Sequence, residues 1–344
     1  MSSGKILYLN RLKAIACFAV VVLHTFYAAD AFALTTGQHM LAMSVRNLMS
    51  WAVPAFVMSS GALLLDPARN TDTKKIYRKY IPRMIIDLIV FSLLFSLFDG
   101  IFVEKSVTLG TFVRGVQNVY MGTGWKHMWY IYLMLAIYVT LPVYRIVTRN
   151  VKESELRYIM ILYAVGTSLL PMLEAALDVK LPFYIFVYSI YPLYLFGGYM
   201  LHKYGCFRKP AAGAFIGVYA FATVVLTYVG LVGGQEFINS YLGNYSSPVI
   251  ILGSLGAFLL MRGTEQKSWG KLDVIAGKIS KYSFGIYLVH MAVLKFMLVV
   301  MQINPFEQLG FLMLILMTVI TFGISYILTA AFEFVKSTLA AHRS

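Results

Sequence analysis

Long apolar runs separated by short clusters of charge organise the whole chain. They fall near residues 10–29, 47–65, 80–101, 128–147, 157–176, 183–202, 212–232, 247–262, 280–300 and 309–332. Most reach the roughly 20 residues that an α-helix needs to cross a hydrocarbon layer about 30 Å thick. The fifth run contains Gly166 and Pro171, and the eighth is short after Pro248. The pattern predicts an all-α, polytopic membrane helix bundle of about ten transmembrane helices. The dyad alternation of an outer-membrane barrel is missing. No connecting segment is long enough to fold by itself, so residues 1–344 read as one integral-membrane domain and any chemistry falls to the bundle. The longest connection, about 102–127, carries Gly110, Gly115, Gly122 and Gly124 and reads as a cap or a re-entrant piece.

Composition agrees with this reading. The chain is 59% hydrophobic and 13% charged, with mean hydropathy +0.73. The first residues imitate a signal peptide, with Lys5, Arg11 and Lys13 before an apolar stretch and small residues in AADAFA; we read this segment as a retained span. Cys17 falls in a predicted span and Cys206 in a predicted connection, so no disulfide is expected.

The net charge of +14 does not call for nucleic acid. With the N-terminus inside, only Arg46, Lys105, Arg114, Lys126, Lys180 and Lys295 fall outside. The remaining roughly 23 of the 29 lysines and arginines fall inside. That bias predicts ten spans with both termini cytoplasmic.

Polar groups within or beside the runs are the candidates for chemistry, because an ionisable group in lipid is costly. These are His24, Asp87 and His290, with Arg46 and Glu174 near the outer boundary. In KAIACFAVVVLH, eleven residues separate Lys13 from His24. On a helix they lie within roughly 20° of one face and about 16 Å apart along the axis. Neutral imidazole has one basic nitrogen, as a general base requires. His290, in SFGIYLVH, lacks such a partner: Lys281 lies nine residues back, roughly 180° around the helix. His290 and Tyr287 therefore read mainly as interhelical packing. In KKIYRKYIPR, Lys75 and Arg78 are three apart and suit phosphate, though topology alone also puts basic residues there. Asp87 either pairs with a nearby cation or orients a ligand. Trp125, Trp129 and Tyr130 read as interfacial aromatics, while His127 and Trp129 are candidates for lining an acceptor site.

Four segments together resemble the bacterial membrane acyltransferases of the acyltransferase-three family. NRLKAIACFAVVVLH is similar to the family's first-span motif through Lys13 and His24. VPAFVMSSGALLL is similar to its second span through Pro54, Ser60 and Gly61, and KIYR to its basic-x-x-Arg motif through Lys75 and Arg78. YSFGIYLVH is similar to its late-span signature through Ser283, Tyr287 and His290. HMWYIYLMLAIYVTLPV resembles the fourth span more loosely. The family usually has Arg in place of Lys13 and often an acidic residue in place of Asn10; Arg11 is a nearby substitute cation.

The resemblance implies an O-acyltransferase of the bacterial cytoplasmic (inner) membrane, nearest to members that acetylate enterobacterial common antigen or acylate exopolysaccharides. It implies acetyl-CoA, or another acyl-CoA, as donor and a hydroxyl of an envelope glycan or lipid-linked sugar as acceptor. No metal is expected, and a homo-oligomer stays open. His24 is the expected catalytic residue, and Lys13, Lys75 and Arg78 the expected donor-binding residues. Expected acceptor contacts are His127, Trp129, Glu174, Tyr287 and His290. The alternative is a polytopic transporter or flippase of a polysaccharide locus, although no internal repeat is visible.

Overall fold

The computed structural model describes residues 6–67, 73–180, 188–205, 209–234, 238 and 241–341. Every described element is helical. Among the described residues, eight helical stretches are long and apolar enough to cross a membrane: Leu7–Ala31, Thr36–Leu64, Thr73–Val103, Lys126–Asn150, Glu153–Leu177, Ala211–Val232, Lys271–Val300 and Phe311–Leu339. The other two expected spans appear as shorter helices, Tyr191–Tyr204 and Pro248–Arg262. Part of the expected span at 183–202 lies outside the described residues, as do Cys206 and Arg208. The chain is thus a polytopic helical membrane protein, with a helix at each predicted position.

Two compact units divide the chain. The first comprises Met1–Asp66 and Asn150–Ser283; the second comprises Pro67–Arg149 and Phe284–Ser344. In the first unit, Leu7–Ala31 and Thr36–Leu64 are the central elements. Their most apolar windows are 56% and 61% buried, against 11% for Glu153–Leu177. The second helix starts at Thr36 because Thr35 and Gln38 form a capping box, each side chain bonding the other's backbone N–H.

Helix Ala52–Leu64 and helix Tyr191–Tyr204 approach so closely that side chains are excluded from the crossing. A Cβ at Gly61 would lie 1.8 Å from the Leu195 carbonyl oxygen, and one at Gly198 would lie 1.9 Å from that of Met58. Small residues allow this approach, which in lipid rests on dispersion rather than on the hydrophobic effect. Gly61, one of the motif residues, therefore serves packing. Gly61→Ala and Gly198→Ala are each expected to cost about 1–3 kcal/mol or more and to lower the yield and melting temperature of purified protein. Gly217→Ala, where nothing lies within 4 Å of the added carbon, should melt like the wild type.

In the second unit, helix Ile81–Phe98 packs on the shorter helix Leu109–Met121. Gly115 lets them meet: an added Cβ would lie 2.9 Å from Leu93, and Ser92 Oγ donates to the Gly115 carbonyl at 2.8 Å. The segment expected as a cap or re-entrant piece is thus largely one helix. Thr108 caps it, and Gly122, in the left-handed region at φ +67°, ends it. Among the described residues, four π-helical turns interrupt the spans, at Ile76–Tyr80, Asp99–Val103, Val165–Leu169 and Phe296–Val300. Such turns recur at functional sites.

Candidate active site

The first helix runs unbroken from Leu7 to Tyr27, so the Lys13–His24 spacing keeps the geometry expected of an ideal helix. Both side chains are half-buried. His24 Nδ1 lies 2.9 Å from the Val20 carbonyl oxygen. A carbonyl only accepts, so Nδ1 carries the proton and Nε2 is the basic nitrogen of the neutral ring. Cys17 and Val20 lie on the same stripe and are 2% and 3% exposed. Cys17 Sγ donates to the Ser283 carbonyl at 3.8 Å. The stripe joining Lys13 to His24 is therefore lined by protein, including the helix that starts at Lys271.

Arg11 has a different task from the one expected of it. Its side chain is buried, and all five guanidinium N–H groups are used within the first unit. Nε and Nη2 make a bidentate pair with Asp273 at 2.6 and 2.9 Å. Nη1 donates to the Thr264 carbonyl and hydroxyl at 2.7 and 2.8 Å, and Nη2 also donates to the Lys267 carbonyl at 2.6 Å. The guanidinium stacks 4.3 Å from the Trp269 ring centroid. Arg11 is thus a bolt between the first helix and the turn before Lys271, with neither charge nor donor left for a ligand. Two residues along, roughly 200° around the helix, Lys13 is the cation on the His24 stripe. Asn10 accepts from Ser280 Oγ at 3.0 Å, in support of the same junction.

Lys75 and Arg78 belong to the second unit and are exposed. Lys75 ends the short helix Thr73–Lys75, and Arg78 sits within the π turn Ile76–Tyr80. The wider π turn makes their three-residue spacing looser than the α-helical neighbours expected. Asp87 lies 3.7 Å from Arg83 Nε, one turn earlier, so it pairs with a cation. Arg46 is held by Asp30 at 2.5 Å. Glu174 is half-buried in helix Leu170–Leu177 of the first unit.

Three of the expected acceptor contacts meet in the second unit. His127 and His290 are 1% and 0% exposed, with ring centroids 5.4 Å apart and planes at 80°. Tyr287 lies 5.6 Å from His127 and 5.8 Å from His290, centroid to centroid. His290 Nδ1 donates to the Tyr287 carbonyl at 2.6 Å, which leaves Nε2 as its basic nitrogen. Trp129 stands apart from this cluster. Its ring is partly exposed and meets the edge of Tyr130, which in turn touches Tyr287. The packing read for His290 is present, against a histidine 163 positions earlier in the sequence.

A family model described as "Acyltransferase domain", acyltransferase family 3, matches residues 6–330. The chain belongs to this acyltransferase family. No curated protein and no solved structure matches it. Family membership over this length favours a multi-pass membrane acyltransferase over the transporter reading.

Some residues of this acyltransferase gave no signal in sequence. Asp99 and Lys295 look like charges at the ends of spans, yet Lys295 Nζ contacts Asp99 Oδ1 at 2.5 Å. Trp125 looks like an interfacial aromatic, yet its Nε1 donates to Asp99 Oδ2 at 2.9 Å. Each bond joins positions with no shared periodicity, so only the fold reveals it.

Proposed function

We propose that this acyltransferase moves an acyl group, most simply acetyl, from acyl-CoA to a hydroxyl of an envelope glycan or its lipid-linked precursor. The observation that carries the proposal is the protein-lined stripe between Lys13 and His24, with His24 Nε2 as a basic nitrogen. In this reading the chain lies in the bacterial inner membrane with Lys13, Lys75 and Arg78 on the cytoplasmic side, the side biased toward positive charge. Coenzyme A carries several phosphate charges, and lysine and arginine side chains suit them. The thin pantetheine arm is about as long as the ~16 Å rise from Lys13 to His24, so the two match in length.

The chemistry then follows. His24 Nε2 takes the proton of the acceptor hydroxyl, the oxygen attacks the thioester carbonyl, the C–S bond breaks, and the thiolate leaves and is protonated. A two-step route is equally balanced: Nε2 takes the acyl group first and the hydroxyl then removes it. The test is incubation of purified protein with radiolabelled acetyl-CoA and lipid-linked glycans. Label transferred to glycan, or released as acetate in a His24-dependent way, supports the reading. Neither product from folded protein with any acyl-CoA would remove it.

Donor binding has its own prediction. Lys75→Ala and Arg78→Ala should each weaken acetyl-CoA binding by about tenfold at low salt. The difference should shrink as ionic strength rises and the charges are screened. Titration at two salt concentrations checks this, and unchanged affinity at low salt takes both residues out of the site.

A further inference from the structure

The second unit contains a cavity of about 220 Å³ between the end of helix Ile81–Phe98 and helix Leu109–Met121. We infer that this cavity binds one neutral, hydroxyl-rich ring, the acceptor sugar that carries or neighbours the acylated hydroxyl. The inference deepens the glycan-acylation reading and rests on it for the word acceptor; the cavity's sugar-binding chemistry stands independently.

The lining is polar and mixed. Asn118 Oδ1 accepts from Thr123 Oγ1 at 2.9 Å, and Asn118 Nδ2 makes a long 3.4 Å bond to Ser96 Oγ. Ser96 is buried, and its hydroxyl oxygen accepts that bond. Arg114 gives one N–H to Glu104 at 2.7 Å and keeps four. Both donors and acceptors therefore line the space, as sugar hydroxyls, which both donate and accept, require.

The charge pattern disfavours the other substrate. Asp99 and Glu104 line the cavity with Arg114, and Lys295 neutralises Asp99 from behind. Two carboxylates against two cations leave no net positive field for the phosphates of coenzyme A. Size sets a further limit: about 220 Å³ is below the roughly 300–1,000 Å³ of sites for drug-sized ligands, which suits one ring.

The aromatic wall is held rigid. Phe95 stacks on Trp125 at 4.2 Å with planes 5° apart, and Lys295 Nζ lies 4.5 Å from the Trp125 centroid. Trp125 is thus a wall rather than a face for stacking, and recognition falls to the polar groups. Behind this wall Phe95 touches His127, at 5.3 Å between centroids, and His127 touches His290. The π turn Asp99–Val103 begins at the carboxylate that holds Lys295, and a second π turn, Phe296–Val300, begins directly after that lysine. The first of these turns begins at a residue that lines the cavity.

Position points to a ring at the bilayer surface. Helix Leu109–Met121 has 13 residues, about 20 Å, too short to cross. Thr111 and Gly115 are buried against its partner, whereas Phe112 and Leu109 are 46% and 80% exposed. A short amphipathic helix with an open apolar side lies in the interface. The ring can come from a lipid-linked glycan or from a free saccharide; the binding chemistry is shared.

The experiment uses the full chain in lipid nanodiscs, free of sugar-headed detergent. Binding of methyl glucoside, galactoside, mannoside and N-acetylglucosaminide is read by saturation-transfer NMR, and acetyl-CoA binding is measured on the same samples. At least one glycoside should bind, and Asn118→Leu, which replaces the lining amide by an apolar group, should weaken it by about tenfold or more. Thr123→Val and Glu104→Gln, at exposed positions, should weaken it by about threefold and decide the matter if Asn118→Leu fails to fold. Failure of all four glycosides to bind, or wild-type binding by the folded variants, overturns the site. Tighter binding of the same ring on a polyprenyl phosphate identifies a lipid-linked source; equal binding identifies a free saccharide. Glycoside binding without acetyl-CoA binding keeps the cavity and removes acetyl-CoA as the proposed donor, while the reverse keeps that donor and removes the cavity.

Discussion

His24→Ala is expected to lower acyl transfer by about three orders of magnitude or more, in a protein that inserts and melts like the wild type. General-base catalysis contributes roughly 10²–10⁴-fold, and loss of a covalent carrier would stop the two-step route altogether. The ring's bond to the Val20 carbonyl lies within the first helix, so losing it breaks no link between helices. The assay is transfer of label from acetyl-CoA to a lipid-linked glycan, beside a melting curve. Wild-type turnover in the variant would mean that His24 serves packing alone. Rapid quenching into denaturant near neutral pH, without acceptor, separates the two routes, because an acylated imidazole hydrolyses in acid. Label retained on wild-type protein and lost in His24→Ala identifies the carrier, and its absence on a competent enzyme identifies the base.

The largest expected effect on stability is at Arg11. Arg11→Ala should cost about 3–5 kcal/mol, because removing one partner of a buried pair strands the other. Asp273 would lose its bidentate partner, and the Thr264 and Lys267 carbonyls would lose theirs. Arg11→Lys should restore little, since a point charge cannot replace a five-donor fork. Thermal unfolding of purified protein reads the loss. If Arg11 bound the donor instead, Arg11→Ala would melt normally and bind acetyl-CoA poorly. Buried without a spare donor, it is expected to show the opposite: a large drop in melting temperature and near-normal donor affinity in whatever fraction folds.

Lys13 and Arg11 show how far a sequence reads by itself. Both are basic residues at the start of one apolar run, and nothing local tells them apart except the eleven-residue spacing to His24. That spacing is a property of a single helix, so it survives into the fold. The use of Arg11 depends on Thr264, Lys267 and Asp273, more than 250 positions away. The same contrast holds at Gly61 and at His290. A glycine in a motif suggests importance, but only the Leu195 carbonyl shows that it permits backbone contact. A histidine without an aligned cation suggests packing, but only the fold supplies His127 as its neighbour.

Sequence by itself determined the positions of the long apolar helices, the membrane class and the Lys13–His24 stripe. It could do so because in lipid each backbone must satisfy its own hydrogen bonds, which turns local hydropathy into helices directly. Tertiary structure alone decided which polar groups are consumed by structure and which surround open space. Arg11 is spent on Asp273, Asp99 on Lys295 and Trp125, while Ser96, Asn118 and Arg114 line a cavity. Those outcomes come from side chains brought together across the chain, and no periodicity along one helix encodes its partner.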